Sequence, residues 1–203
     1  MPHILHVDAS PRGERSISRM LTKEFISSWL ENHPQATTTY RDVGQHPVPA
    51  LTENWIAGAF SKAPTLPPDL KEALRLSDEL IAELMEAERY VFGIPMYNFS
   101  VPASFKAYID QIVRVNRTFK PPYEGLLTGK KMLVVTTRGG SYIGNSDMAG
   151  YDFHEPYLRT VFGYIGVTDI TFLYAESLNE GEEARQQSLA QARHMMQQTV
   201  LTW

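Results

Sequence analysis

Ser10, Ser16 and Ser18 bracket the short run Pro11-Arg12-Gly13-Glu14-Arg15 near the start of the chain. Hydroxyls that can turn toward an oxygen, set beside guanidinium groups, suit an oxyanion, and a phosphate needs several such donors at once. Ile17, Leu21, Phe25 and Trp29 then recur every four residues, so Ser16 sits at or near the start of a helix. The unpaired N–H groups and the positive dipole end of that helix favour an anion at the same point. No Gly-Lys-Ser/Thr follows Gly13 and no Gly-x-Gly-x-x-Gly occurs, so the loop suits a terminal monophosphate better than a pyrophosphate. A surface turn capped by Ser16, with Arg12 and Arg15 solvated, accounts for the same letters.

Two further loops carry binding chemistry. Pro95-Met96-Tyr97-Asn98-Phe99-Ser100 holds two aromatics, a thioether and an amide. Such a set can flank a flat ring and hydrogen-bond its edge, or it can simply pack on a neighbouring helix. In Thr137-Arg138-Gly139-Gly140-Ser141-Tyr142 the paired glycines let backbone N–H groups approach a ligand closely, although paired glycines also make ordinary turns.

The elements that position these loops follow from periodicity. β-rich runs fall at residues 4–7, 37–43, 90–94, 132–137 and 170–174, and the third and fourth are almost wholly apolar, as in strands buried on both faces. Helical stripes lie between them: Ile17 to Leu30, Leu70 to Leu84, Phe105 to Val113 after Pro102, and Tyr157 to Ile165 ending at Gly166. A fifth helix carries Leu189, Ala192 and Met196, and Asn179 with Glu182 resembles its capping box. Five strands alternating with five helices predict an α/β fold: a doubly wound five-stranded parallel sheet, order 2-1-3-4-5, with helices on both faces. Ligands of such sheets bind at the carboxyl ends of the strands, where the loops after strands 1, 3 and 4 meet. Residues 46–68 and 118–129 exceed ordinary connections and are rich in proline and aromatics.

The chain of 203 residues reads as a single domain, 1–203, with no repeat or low-complexity stretch. A net charge of −4 indicates no nucleic-acid surface. The absence of cysteine removes disulfides, thiolate metal sites and cysteine nucleophiles, and is compatible with the cytoplasm. Two histidines and an aspartate interrupt the first apolar run, which is therefore no signal peptide. No apolar run approaches the roughly 20 residues of a membrane span. A cytoplasmic protein without a metal site is the expectation.

Taken together, a monophosphate at one end and a planar heteroaromatic ring at the other specify FMN. At this point the residues support a resemblance. Ser10, Ser16-Ile17-Ser18, Pro95-Met96-Tyr97-Asn98-Phe99, Arg138-Gly139-Gly140, Leu127-Thr128-Gly129-Lys130-Lys131 and Phe162-Gly163-Tyr164-Ile165-Gly166-Val167-Thr168-Asp169 resemble the FMN-dependent NADH-azoreductases, also described as NADH:quinone oxidoreductases. The resemblance covers nearly the whole chain, and Pro-Met-Tyr-Asn-Phe is its most specific element.

It implies a flavodoxin-like homodimer with one FMN per subunit and active sites at the interface, using NADH to reduce quinones and cleave azo compounds. Ser10, Ser16, Ile17 and Ser18 would hold the phosphate. Met96, Tyr97, Asn98 and Phe99, with Thr137, Arg138, Gly139 and Gly140, would hold the ring. Phe99, Phe119, Tyr123 and Phe162 are candidate walls of a substrate pocket, although Phe162 equally suits core packing. The stretch 118–125, TFKPPYEG, departs from the family where the substrate lid is expected. No side chain stands out as an essential acid or base, since the flavin carries the redox chemistry. His154 reads as a surface residue beside a helix start or, less readily, as a proton donor. The rival reading is a flavodoxin-type electron carrier without turnover of its own, but such carriers are usually shorter and more acidic. A receiver domain would need an aspartate where Pro95 and Met96 stand, and a phosphatase would lack a nucleophile.

Overall fold

The computed structural model describes residues 1–203. Strands β1 (His3–Asp8), β2 (Thr37–Asp42), β3 (Arg89–Gly93), β6 (Lys131–Thr137) and β7 (Asp169–Ala175) form one parallel sheet in the order β2-β1-β3-β6-β7. That is the expected 2-1-3-4-5 arrangement of five main strands. Successive residues of a strand point to opposite faces, and this divides the core in two. Leu5, Val7, Phe92 and Val134 face α3 (Pro68–Glu86), α4 (Ala103–Ile112) and α5 (Glu155–Tyr164) through Leu80, Phe105 and Leu158. Ile4, Val91, Leu133 and Leu173 face α1 (Ile17–Asn32) and α6 (Glu182–Thr202) through Leu21, Phe25, Trp29 and Ala192. Val91, Phe92, Leu133 and Val134 are fully buried, which is why β3 and β6 read as unbroken apolar runs. Each such side chain contributes about 1.5–3 kcal/mol by leaving water.

The helices stop and start for local reasons. Helix α5 ends in a Schellman motif: Gly166 has φ +106°, its N–H bonds the Gly163 carbonyl at 3.0 Å, and the Val167 N–H bonds the Phe162 carbonyl at 2.9 Å. Gly125 completes that corner, because a Cβ there would lie 2.2 Å from the Gly166 nitrogen.

Three features depart from the sequence reading. The segment 46–68 contains a sixth helix, α2 (Glu53–Ala59), capped by Thr52 and anchored by the buried Trp55, whose indole N–H donates to Gln111 Oε1 at 2.7 Å. Two turns are too short to show periodicity. The segment 118–129 folds into a hairpin of β4 (Phe119–Lys120) and β5 (Glu124–Gly125). Asn179 does not cap α6: Gly181, at φ +110°, takes that position without a side-chain cap, and Asn179 is turned to the third loop. No helix is long and apolar enough to cross a membrane.

Candidate active site

The carboxyl ends of β1, β3, β6 and β7 surround a cavity of about 210 Å3. Ser10, Arg12, Ser16 and Ile17 line it from the first loop, Pro95, Met96 and Tyr97 from the second, and Thr137, Arg138 and Gly139 from the third. The structure thus gathers eight of the twelve residues expected to hold a cofactor. Ser18 stands fully buried behind them, its hydroxyl 3.1 Å from that of Ser16. Ser16 caps α1 by accepting the Arg19 N–H at 3.4 Å, so the first turn of that helix opens toward the cavity.

The first loop is braced from behind. Arg19 donates to the Ser10 carbonyl from Nε at 2.9 Å and Nη2 at 2.6 Å, and its fork also grips the Asp42 carboxylate at 2.7 and 2.5 Å. Burial works against the Asp42 charge, but hydrogen bonds from Arg19 and from the Gln45 and Gly44 N–H groups outweigh it and hold this carboxyl below its ordinary pKa.

Asn98 and Phe99 lie outside the cavity lining, on a two-residue turn closed by reciprocal backbone bonds between Tyr97 and Ser100 at 2.9 and 3.1 Å. Both have positive φ, 47° and 70°, in a turn that normally favours glycine at the second position. Backbone strain of this kind gathers at functional sites. Here it projects the Phe99 ring outward, 40% exposed, against Tyr142 and Tyr151. The N–H groups of Asn98, Gly139 and Gly140 donate to no other group of the chain, and of the three residues Gly139 lines the cavity. Gly140 lies beside Glu180, just beyond the lining.

Several expectations need correction. The Arg138 guanidinium is not free for a ligand: it is fully buried, with Nη1 between Asp152 (2.9 Å) and Glu176 (3.1 Å) and the group over the Tyr174 ring. Phe162 is no pocket wall, because its fully buried ring packs edge-on against Phe92, 5.7 Å between centroids. Phe119 and Tyr123 pack on Tyr164 from the β4–β5 hairpin, and Phe119 borders a separate apolar cavity of about 360 Å3 with Trp55 and Phe60. His154 is not at the surface. It is fully buried, neither ring nitrogen has a hydrogen-bond partner, and burial, then the nearby Arg138 charge, push its pKa down to about 3. Asp152 and the Ile94 carbonyl oppose this weakly. His154 is therefore neutral at pH 7, which argues against the proton-donor reading.

That burial has a measurable consequence. Between pH 6.5 and 3 the unfolded chain binds a proton at His154 that the folded chain does not, so stability falls as pH drops through this window. From pH 7 to pH 5 this one group costs about 2 kcal/mol. Chemical denaturation at both pH values should show His154→Gln losing less stability than the wild type; parallel losses would contradict the assignment.

Sequence reasoning missed the fourth wall. Leu178, Asn179 and Arg185, from the loop after β7 and the start of α6, complete the lining. The Leu178 and Asn179 N–H groups bond the Arg138 and Gly139 carbonyls at 3.2 and 2.9 Å, tying the third loop to this one. The only signal was Asn179 itself, which the capping-box pattern absorbed.

The lining fits FMN. Two of its arginines, Arg12 and Arg185, make no ion pair, no carboxylate lines it in a chain of net charge −4, and Ser10 and Ser16 add hydroxyls. A larger groove of about 640 Å3 behind Ser16 has His6, Asp8, Arg19, Tyr40 and Asp42 on its walls. There Arg19 is taken by Asp42, Asp8 accepts from Thr22 and Tyr40, and the remaining cation, Lys23, shares the walls with Asp8, Glu14 and Asp42, so carboxylates outnumber free cations in that groove.

Comparison with known proteins identifies the family. Residues 2–200 match the family model described as a flavodoxin-like fold. An FMN-dependent NADH:quinone oxidoreductase of Nostoc punctiforme is 56% identical, with all of both chains covered. One from Trichormus variabilis is 60% identical over 98% of this chain and 96% of its own. A crystal structure of an azoreductase from Bacillus anthracis superposes with a TM-score of 0.90 at 26% identity, covering all of both chains. With relatives more than half identical along its whole length, this chain belongs to the flavodoxin-like fold family and, within it, to the FMN-dependent NADH:quinone oxidoreductases.

Proposed function

We propose that the protein is an enzyme that uses FMN to pass two electrons from NADH to quinones and, in two turnovers, to aromatic azo compounds. The observation that carries this reading is the all-cationic, hydroxyl-bearing cavity at the sheet switch point, in a chain more than half identical to named FMN-dependent NADH:quinone oxidoreductases. Bound FMN supplies the two-electron chemistry. The chain supplies the rest. Ser10, Ser16 and the first turn of α1 hold the phosphate, while Met96 and Tyr97 flank the ring. The free N–H groups of Asn98, Gly139 and Gly140 would be the donors to its polar edge and would stabilise negative charge there. Phe99 offers an exposed apolar surface on which NADH and then the acceptor stack in turn.

One shared surface predicts ping-pong kinetics. Double-reciprocal plots at several benzoquinone concentrations should be parallel, and intersecting lines would contradict the shared surface. Phe99→Ala should raise the quinone KM about 3–10-fold and change stability by no more than about 0.5 kcal/mol, because the ring is exposed. Steady-state kinetics with a thermal melt check both; a stability loss without a KM change would make Phe99 structural.

The reading extends to a homodimer. Ile56, Phe60 and Tyr123 leave apolar surface exposed around α2 and the hairpin, and Phe99, Tyr151 and Phe153 do so beside the cavity. A second copy would cover such surface and complete a substrate pocket with its hairpin aromatics. Light scattering of the FMN-loaded protein should give the mass of two chains, and the mass of one would contradict the shared pocket. An enzyme that draws on NADH needs a compartment where that coenzyme is maintained, which supports a cytoplasmic location.

A further inference from the structure

We propose that Arg185 and Arg12 form a cationic clamp on the phosphate of the flavin, and that this clamp makes the protein select FMN over phosphate-free flavin. The proposal rests on the FMN reading above and assigns two residues that the serine loop alone does not require.

Arg185 is the fourth residue of α6 and lines the cavity together with Arg12, Ser10 and Ser16 of the first loop, which lies more than 160 positions earlier in the chain. Its position runs against local electrostatics. The N-terminal turn of a helix favours acidic residues, and Glu182 and Glu183 fill that role here, whereas a cation is disfavoured. Nor is Arg185 placed there to pair with them. The Glu182 carboxylate accepts from Gln186 at 2.9 Å and that of Glu183 from Gln187 at 3.3 Å, and Arg185 makes no ion pair. Arg12 makes none either, while the third arginine of the lining, Arg138, is wholly buried and meets Asp152 and Glu176 through Nη1. Two uncommitted guanidinium groups therefore border a cavity without a carboxylate, beside two serine hydroxyls. A guanidinium fork matches a phosphate dianion, and charge-assisted bonds of this kind are about twice as strong as neutral ones.

The test titrates FMN and riboflavin separately into the purified full-length protein, stripped of flavin, by fluorescence quenching. Wild type, Arg185→Gln, Arg185→Lys, Arg12→Gln and the exposed control Arg75→Gln are compared, each checked by a thermal melt. Arg185→Gln should weaken FMN about 10-fold and riboflavin less than about twofold, with Arg185→Lys recovering part of the loss. Arg12→Gln should act in the same direction and Arg75→Gln should change nothing. Equal weakening of both flavins would make Arg185 a packing residue and overturn the clamp. Unchanged FMN affinity in Arg185→Gln, or a wild type that binds riboflavin as tightly as FMN, would overturn it as well. A wild type that binds neither flavin would overturn the FMN reading and the clamp together.

Discussion

Arg138→Met is expected to lower the unfolding free energy by about 3–5 kcal/mol, the loss typical when one member of a buried ion pair is removed and its partners are left uncompensated. The guanidinium is wholly buried, and Asp152 and Glu176 are only 11% and 9% exposed. Both carboxylates also have structural duties. Asp152 accepts the His154 and Glu155 N–H groups at the start of α5, at 2.9 and 3.1 Å. Glu176 accepts from the Ser141 hydroxyl and the Tyr142 N–H, at 3.2 and 3.0 Å, where the third loop ends. Without Arg138 the two acids must move apart or take up protons, and both movements disturb the loop that forms a cavity wall. For a domain of this size the loss corresponds to a melting temperature lower by roughly 6–20 °C in calorimetry. Adding Glu176→Gln to Arg138→Met should recover part of it, since fewer unpaired charges remain. A melting temperature within about 2 °C of wild type would contradict the buried pair as an energetic anchor.

Gly44→Ala should do the most damage to cofactor affinity for the smallest change in the chain. An alanine Cβ there would lie 2.3 Å from the Ser10 carbonyl oxygen and 2.9 Å from the Ala9 carbonyl carbon. Both are backbone atoms that cannot rotate aside, so the first loop must shift. The same Ser10 carbonyl receives two bonds from Arg19, so the brace is strained as well. The expected result is a stability loss of about 1–3 kcal/mol, as for other overpacked sites, and FMN affinity lower by about 10–100-fold. Gly139→Ala is the informative comparison. Its Cβ would meet the Asn179 Nδ2 at 2.6 Å, the end of a movable side chain, so affinity should fall less than about fivefold. Equilibrium flavin titration ranks the two, and equal losses would contradict the view that the backbone of the first loop is the rigid part of the site.

The legible parts of this molecule are those whose cause is local. The strands show as runs because β3 and β6 are buried on both faces, and Pro102, Gly166 and Ser16 mark helix ends because their backbone or side-chain chemistry acts within one turn. What stayed hidden depends on partners distant in sequence. Nothing near Arg138 announces that Glu176, 38 residues later, will bury it. His154 reads as exposed because it stands at a helix start between Asp152 and Glu155, yet it is fully buried, near Arg138 and Ile94. Phe162 illustrates a true ambiguity: an aromatic on an apolar helical stripe suits either a core or a cleft, and only the packing of Phe92 and Phe105 decides it. The fourth wall was lost because Asn179 and Glu182 matched a local pattern, when Asn179 serves a contact with Gly139 instead.

The central claim, that the chain joins NADH oxidation to quinone reduction through bound FMN, is tested most directly by anaerobic stopped-flow on the FMN-loaded protein. NADH should bleach the visible flavin absorbance rapidly, and benzoquinone added afterwards should restore it as rapidly. FMN bound tightly but left oxidised by both NADH and NADPH would contradict the claim, and would make the protein an electron carrier reduced by a protein partner.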